Sequence, residues 1–200
     1  MSAEKVPRPP RARRTKTIAL VGGLLAAAAV FACWTQVWVT VGIADAPEAI
    51  EATGQSAAPA LSALALSELA LVAALALAGR VLRYVLGAVQ LLVGAAIAGT
   101  SALPLAAPLE AAASSIADHT GLAGDEAVRA LATSVSVSAW PIVAIAAGIA
   151  LVLLAVGILV SARSWPGTAR RYESGPRHPP VARNAVDDWD ALSGGDDPTA

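Results

Sequence analysis

Trp140-Pro-Ile-Val-Ala-Ile-Ala-Ala-Gly-Ile-Ala-Leu-Val-Leu-Leu-Ala-Val-Gly-Ile-Leu-Val-Ser161 carries no charged side chain, and its polar side-chain atoms sit only on the two end residues. A helix rises about 1.5 Å per residue and bilayer hydrocarbon is about 30 Å thick, so a run of this length crosses it. Three more runs meet the same requirement, at 17–39, 59–79 and 82–103. All are rich in Ala and Gly, which suits closely packed membrane helices. Of the 200 residues, 56% are hydrophobic and 14% are charged. A soluble domain would carry about 25% charged residues, so lipid is the solvent that this surplus of apolar surface implies. The spacing predicts an all-α membrane protein with four transmembrane helices.

The flanks orient those helices. Residues 1–16 hold Lys5, Arg8, Arg11, Arg13, Arg14 and Lys16; the short turn at 80–81 holds Arg80, with Arg83 just beyond it. The tail, 162–200, holds Arg163, Arg170, Arg171, Arg177 and Arg183. The two intervening connections are acidic: Asp45, Glu48 and Glu51 lie in 40–58, and Glu110, Asp118, Asp125 and Glu126 lie in 104–139, where Arg129 is the lone cation. Cationic segments stay on the cytoplasmic side, so both termini are expected inside (N-in/C-in) in a bacterial inner (plasma) membrane. Arg outnumbers Lys and Ala is abundant, which fits a GC-rich bacterial genome.

The connection at 104–139 is long for a bare loop. Pro108 is placed to open a short helix running to Ala117, Gly121 and Gly124 break it, and Asp125 is placed to cap a second. Short helices are therefore expected in this second outer loop, while 40–58 is a plain acidic loop. The two ends, Pro- and charge-rich, are expected to be disordered. Trp34 and Trp38, four residues apart, fall on one face near the outer end of the first helix. Trp140 and Trp165 bracket the fourth. Indoles favour the headgroup layer, so all four serve as interface anchors; for Trp34 and Trp38, stacking on a ligand is the alternative.

A basic start before an apolar run also describes a secretory signal. Val30-Phe-Ala-Cys33 resembles a lipoprotein cleavage box, but Phe31 and Trp34 fit that pattern poorly, and cleavage would leave three spans. The segment is read as a retained helix. The single cysteine excludes an internal disulfide.

Glu68 lies near the middle of the second span, where a charge costs about 2.5–3.5 kcal/mol on translocon scales. The neutral acid is the expected form, paired with Gln90 of the third helix or with the hydroxyls of Ser62 and Ser67. Glu68 and Gln90 form a candidate intramembrane polar site. Its functional reading is coupling to a proton or cation; its plain reading is hydrogen-bonded packing between helices, favoured because no second intramembrane charge completes a relay. Gly87 and Gly94 on the third helix, and Ala144 and Gly148 on the fourth, make small-residue faces for close helix approach, within one chain or in a homo-oligomer. Asp118, His119, Asp125 and Glu126 lack regular metal-ligand spacing. No catalytic triad order, phosphate loop or dinucleotide fingerprint occurs, so neither enzyme activity nor a cofactor is expected. Nucleic-acid binding has no supporting fold; the basic N-terminus suits anionic lipid instead. In the acidic tail, Trp189, Asp190, Leu192, Asp197, Pro198 and Thr199 have the make-up of a short motif for a cytoplasmic protein partner.

Several stretches together resemble the Trp-biosynthesis-associated membrane proteins, known mainly from actinobacteria. They are Arg14-Thr-Lys before a Gly/Ala-rich helix, Trp34 and Trp38, Gly54-Gln-Ser-Ala-Ala-Pro59, Leu61-Ser-Ala-Leu-Ala-Leu66, Gly79-Arg-Val-Leu-Arg83, and Trp189-Asp-Ala-Leu-Ser193 through Asp197-Pro-Thr199. The resemblance covers nearly the whole chain, and the tail is its most specific part. It implies an association with tryptophan biosynthesis and supplies no catalytic residues. It also implies a wholly apolar stretch where this chain has Glu68. The expected function is a non-enzymatic accessory membrane protein; the alternative is a small transporter or efflux component for an aromatic metabolite.

Overall fold

Alanine and leucine dominate the four long runs, and both favour helix over extended chain. In the computed structural model, which describes residues 11–43, 48–121, 129–130 and 132–161, those runs become α1 (Arg11–Trp34), α3 (Ala60–Leu77), α4 (Arg80–Ala106) and α7 (Trp140–Ser161). Shorter helices are α2 (Gly54–Ala57), α5 (Pro108–Ala111) and α6 (Ala113–Thr120). Among the described residues three strands accompany them: β1 (Val37–Ile43), β2 (Ile50–Thr53) and β3 (Ala132–Val137).

All four long helices are long and apolar enough to cross a membrane, with hydropathy of 1.9 to 3.0. At most 28% of each span is buried inside the bundle. Leu77, Val81, Leu92, Leu153 and Val160 are each at least 66% exposed, while Glu68, Arg83, Gln90 and Ser101 are buried. A fully buried large aliphatic side chain gains about 1.5–3 kcal/mol over an exposed one in water. A fold with this much apolar surface outward is therefore built for hydrocarbon. The chain is a multi-pass membrane protein.

Helix α1 packs on α3 and α7, and α4 packs on the same two, so each long helix has two neighbours in a four-helix ring. The buried positions recur at steps of three and four. On α4 they are Arg83, Gly87, Gln90, Gly94, Ile97, Ser101 and Pro104; on α7 they are Pro141, Ala144, Gly148, Leu151, Ala155 and Ile158. That alternation keeps one stripe facing the neighbours, as in gently crossing helix pairs. The α4–α7 seam is the tightest. A methyl group on Gly148 would lie 2.8 Å from the Gly94 carbonyl oxygen and 2.7 Å from the Ala98 nitrogen. Small residues there let the backbones touch.

The all-α expectation is corrected by the sheet. It has the order β2-β1-β3 with antiparallel pairs throughout; Val39 faces Ala52 on one side and Val137 on the other. It sits at the end of the bundle where α1 stops and α3 starts, with α2, α5 and α6 against it. The span assigned to 17–39 is also corrected. Its helix ends at Trp34, because Thr35, Val37, Val39, Thr40 and Val41 form a β-branched run that prefers extended chain. Thr35 Oγ1 donates to the Ala32 carbonyl at 2.8 Å and Trp38 Nε1 to the Cys33 carbonyl at 2.7 Å, so the turn after α1 satisfies its final acceptors. The plain acidic loop expected at 40–58 holds most of β1, all of β2 and α2.

Helix α4 runs past the expected end at Leu103, carrying Pro104 in its last turn. There the proline removes one backbone bond near the terminus rather than kinking the middle. Pro108 is at the start of α5, and α6 ends on Gly121, whose φ of 70° is the left-handed cap conformation. Ser115 Oγ donates to Ser56 Oγ at 3.0 Å, tying α6 to α2. The disorder expected over 1–16 is corrected from Arg11 onward, where good helix formers extend the first membrane helix toward the N-terminus. Residues 1–10, the tail expected to be disordered, and most of the second helix expected from Asp125, of which only the helical residues 129–130 are described, lie outside the described residues.

Candidate functional site

Glu68 stands halfway along α3, Gln90 stands on the buried stripe of α4, and Gly23 stands midway along α1. Three neighbouring helices therefore meet at one depth. Gln90 Nε2 donates to Glu68 Oε1 at 3.0 Å, and both side chains are almost wholly enclosed, at 2% and 0% exposed. A methyl on Gly23 would lie 3.0 Å from Glu68 Oε1 and 2.7 Å from Val72 Cγ2. The space that an ordinary side chain on α1 would fill is thus taken by the carboxyl group and by Val72, one turn farther along α3. Ser62 and Ser67, the other partners considered for Glu68, turn to their own helix: Ser62 Oγ donates to the Pro59 carbonyl and Ser67 Oγ to the Ala63 carbonyl.

Interhelical hydrogen bonds of this kind are worth about 0.6–2 kcal/mol in membranes. Glu68 Oε2 has no hydrogen-bond partner among the described residues. One oxygen is therefore engaged and the other is enclosed away from solvent. Chemically, Glu68 and Gln90 form a polar clasp between α3 and α4, with α1 packed against it at Gly23.

The tryptophans divide. Trp38 is fully buried on β1, with its indole nitrogen spent on the Cys33 carbonyl, so it neither shares a helix face with Trp34 nor anchors at the headgroups. It offers no ring face to a ligand. The cause is the strand: Gly54 at the start of α2 lets the backbone close over both residues, since a methyl there would lie 2.7 Å from the Trp34 carbonyl oxygen and 3.0 Å from Trp38 Nε1. Trp34 packs against Phe31 with ring centroids 5.5 Å apart. Trp140, 39% exposed, opens α7.

His119 Nδ1 lies 2.8 Å from the Ser115 carbonyl oxygen of its own helix, and among the described residues no group of three metal-ligating side chains forms. Asp125 and Glu126 lie outside them, as do Trp165 and the tail residues Trp189, Asp190, Leu192, Asp197, Pro198 and Thr199. Reading Arg83 only as a topology marker missed its burial, 1% exposed, at the head of the α4 stripe. The signal was its spacing: seven residues before Gln90, two helical turns along one face.

A family model described as "Tryptophan-associated transmembrane protein" matches residues 20–199. No curated protein and no solved structure matches the chain.

Proposed function

The chain belongs to the tryptophan-associated transmembrane protein family, and from that premise we propose that it is a non-enzymatic accessory membrane protein of tryptophan biosynthesis, holding a cytoplasmic protein partner through its C-terminal tail. The observation that carries this reading is the reach of the family match. It continues to residue 199 and so takes in Trp189, Asp190, Leu192, Asp197, Pro198 and Thr199, far beyond the last membrane helix. Apolar anchors set among acidic residues are the usual make-up of a segment that orders on a partner.

The orientation this requires is N-in/C-in, in the bacterial plasma membrane. Its support is the charge division: Arg14 and Lys16 lie at the end of the bundle closed by the Ala78–Gly79 turn, and Glu48, Glu51, Glu110 and Asp118 lie at the sheet end. The rival reading, a transporter for an aromatic metabolite, is weakened by the geometry. Glu68 and Gln90 are sealed against Gly23, and Trp38 is covered, so these residues line no path.

Affinity capture in mild detergent tests the proposal. The full chain should recover a cytoplasmic protein from cell membranes, and deletion of residues 187–200 should lose it, while Glu68→Leu leaves recovery unchanged. Equal recovery with and without the tail would refute tail-mediated binding. A metabolite-export defect in Glu68→Leu alone would favour the transporter.

A further inference from the structure

Between α1 and α7 lies an apolar groove of about 390 Å³, walled by Ile18, Ala19 and Gly22 on one side and Leu153, Leu154 and Gly157 on the other. Gly22 receives the end of Leu154, and at Gly157 an added methyl would meet nothing within 4 Å, so the groove remains open there. We infer that this groove holds one acyl chain of an anionic phospholipid, drawn from the leaflet that the N-terminus faces.

Depth and charge select that occupant. From Thr15 to Gly22 the α1 wall extends about 10 Å, within the roughly 15 Å of hydrocarbon in a single leaflet. One end of the groove, at Thr15 and Ile158, lies toward the basic end of the chain. Arg14, exposed, stands one turn before Ile18 on the same face of α1. Arg8, Arg11 and Arg13 precede it, and Arg163 follows α7 by two residues. A headgroup bearing negative charge is attracted there, whereas a zwitterionic one gains far less. Acyl chain and headgroup are thereby recognised by adjacent features of one helix pair.

The test titrates the full-length protein in mild detergent with phosphatidylglycerol or phosphatidylcholine, counting bound lipid by native mass spectrometry. Phosphatidylglycerol should bind at least tenfold more tightly. Gly157→Leu, at a position where an added Cβ meets nothing within 4 Å, should abolish the bound lipid without lowering the unfolding temperature. The R11Q/R13Q/R14Q variant should weaken phosphatidylglycerol about 100-fold and leave phosphatidylcholine nearly unchanged. Equal affinity for both lipids would overturn the inference. So would wild-type lipid binding by Gly157→Leu, which would place the lipid on the basic segment alone. A dimer that Gly157→Leu dissolves would instead assign the groove to a second copy.

Discussion

Replacing Gln90 with Leu leaves Glu68 Oε1 without the donor it has at 3.0 Å. A buried polar group stripped of its partner costs about 1–3 kcal/mol. Gln90→Leu should therefore lower stability by that amount in detergent unfolding, and the double variant E68L/Q90L should recover much of it, because both polar groups are then gone. Additive losses in the double-variant cycle would show that the two side chains are not coupled. Gly23→Leu should be worse than either single change, since Val72 and the Glu68 carboxyl occupy its space. Glu68 was legible in the sequence, because a lone acid in an apolar run has to find a partner. Gln90 was legible too, at a similar depth on the next helix. Gly23 was not: its role depends on which face of α1 meets α3, and Gly and Ala are too evenly spread along α1 to mark one face.

Helix α1 and strand β1 show where hydropathy and local preference part. Val37, Trp38 and Val39 are as apolar as any span residue, so an apolar run continued through them into the predicted helix. Yet β-branched residues at 37, 39, 40 and 41, and the Ser/Val alternation at 134–137, are strand signals of period two. Length arithmetic for a membrane span outweighed them. The element now makes its own prediction. Trp38→Ala, at a fully buried ring, should cost about 3–5 kcal/mol, whereas Trp38→Phe, keeping most of the bulk and losing the bond to Cys33, should cost about 1 kcal/mol. Were Trp38 a headgroup anchor, both would cost little. Chemical unfolding of the two variants distinguishes these cases. Between α4 and α7, Gly148→Leu should break the seam and expose the protein to proteolysis, while Gly99→Leu, at a position where an added Cβ meets nothing within 4 Å, should leave resistance unchanged.

For the molecule as a whole, four spans were readable because each needs only length and the absence of charge. The sheet-end cap was not, because its contacts join residues about a hundred positions apart, as Val39 and Val137 do. The N-in/C-in arrangement depends on charge alone and is the claim on which the tail's partner and the lipid groove's leaflet both rest. Labelling with a membrane-impermeant thiol reagent in intact cells tests it most directly, using Cys33→Ala protein with one new cysteine, either Thr133→Cys on exposed β3 or Gly79→Cys in the open turn between α3 and α4. The predicted result is labelling at position 133 in intact cells and at position 79 only after the membrane is permeabilised. Labelling at position 79 in intact cells, with position 133 protected, would contradict the account.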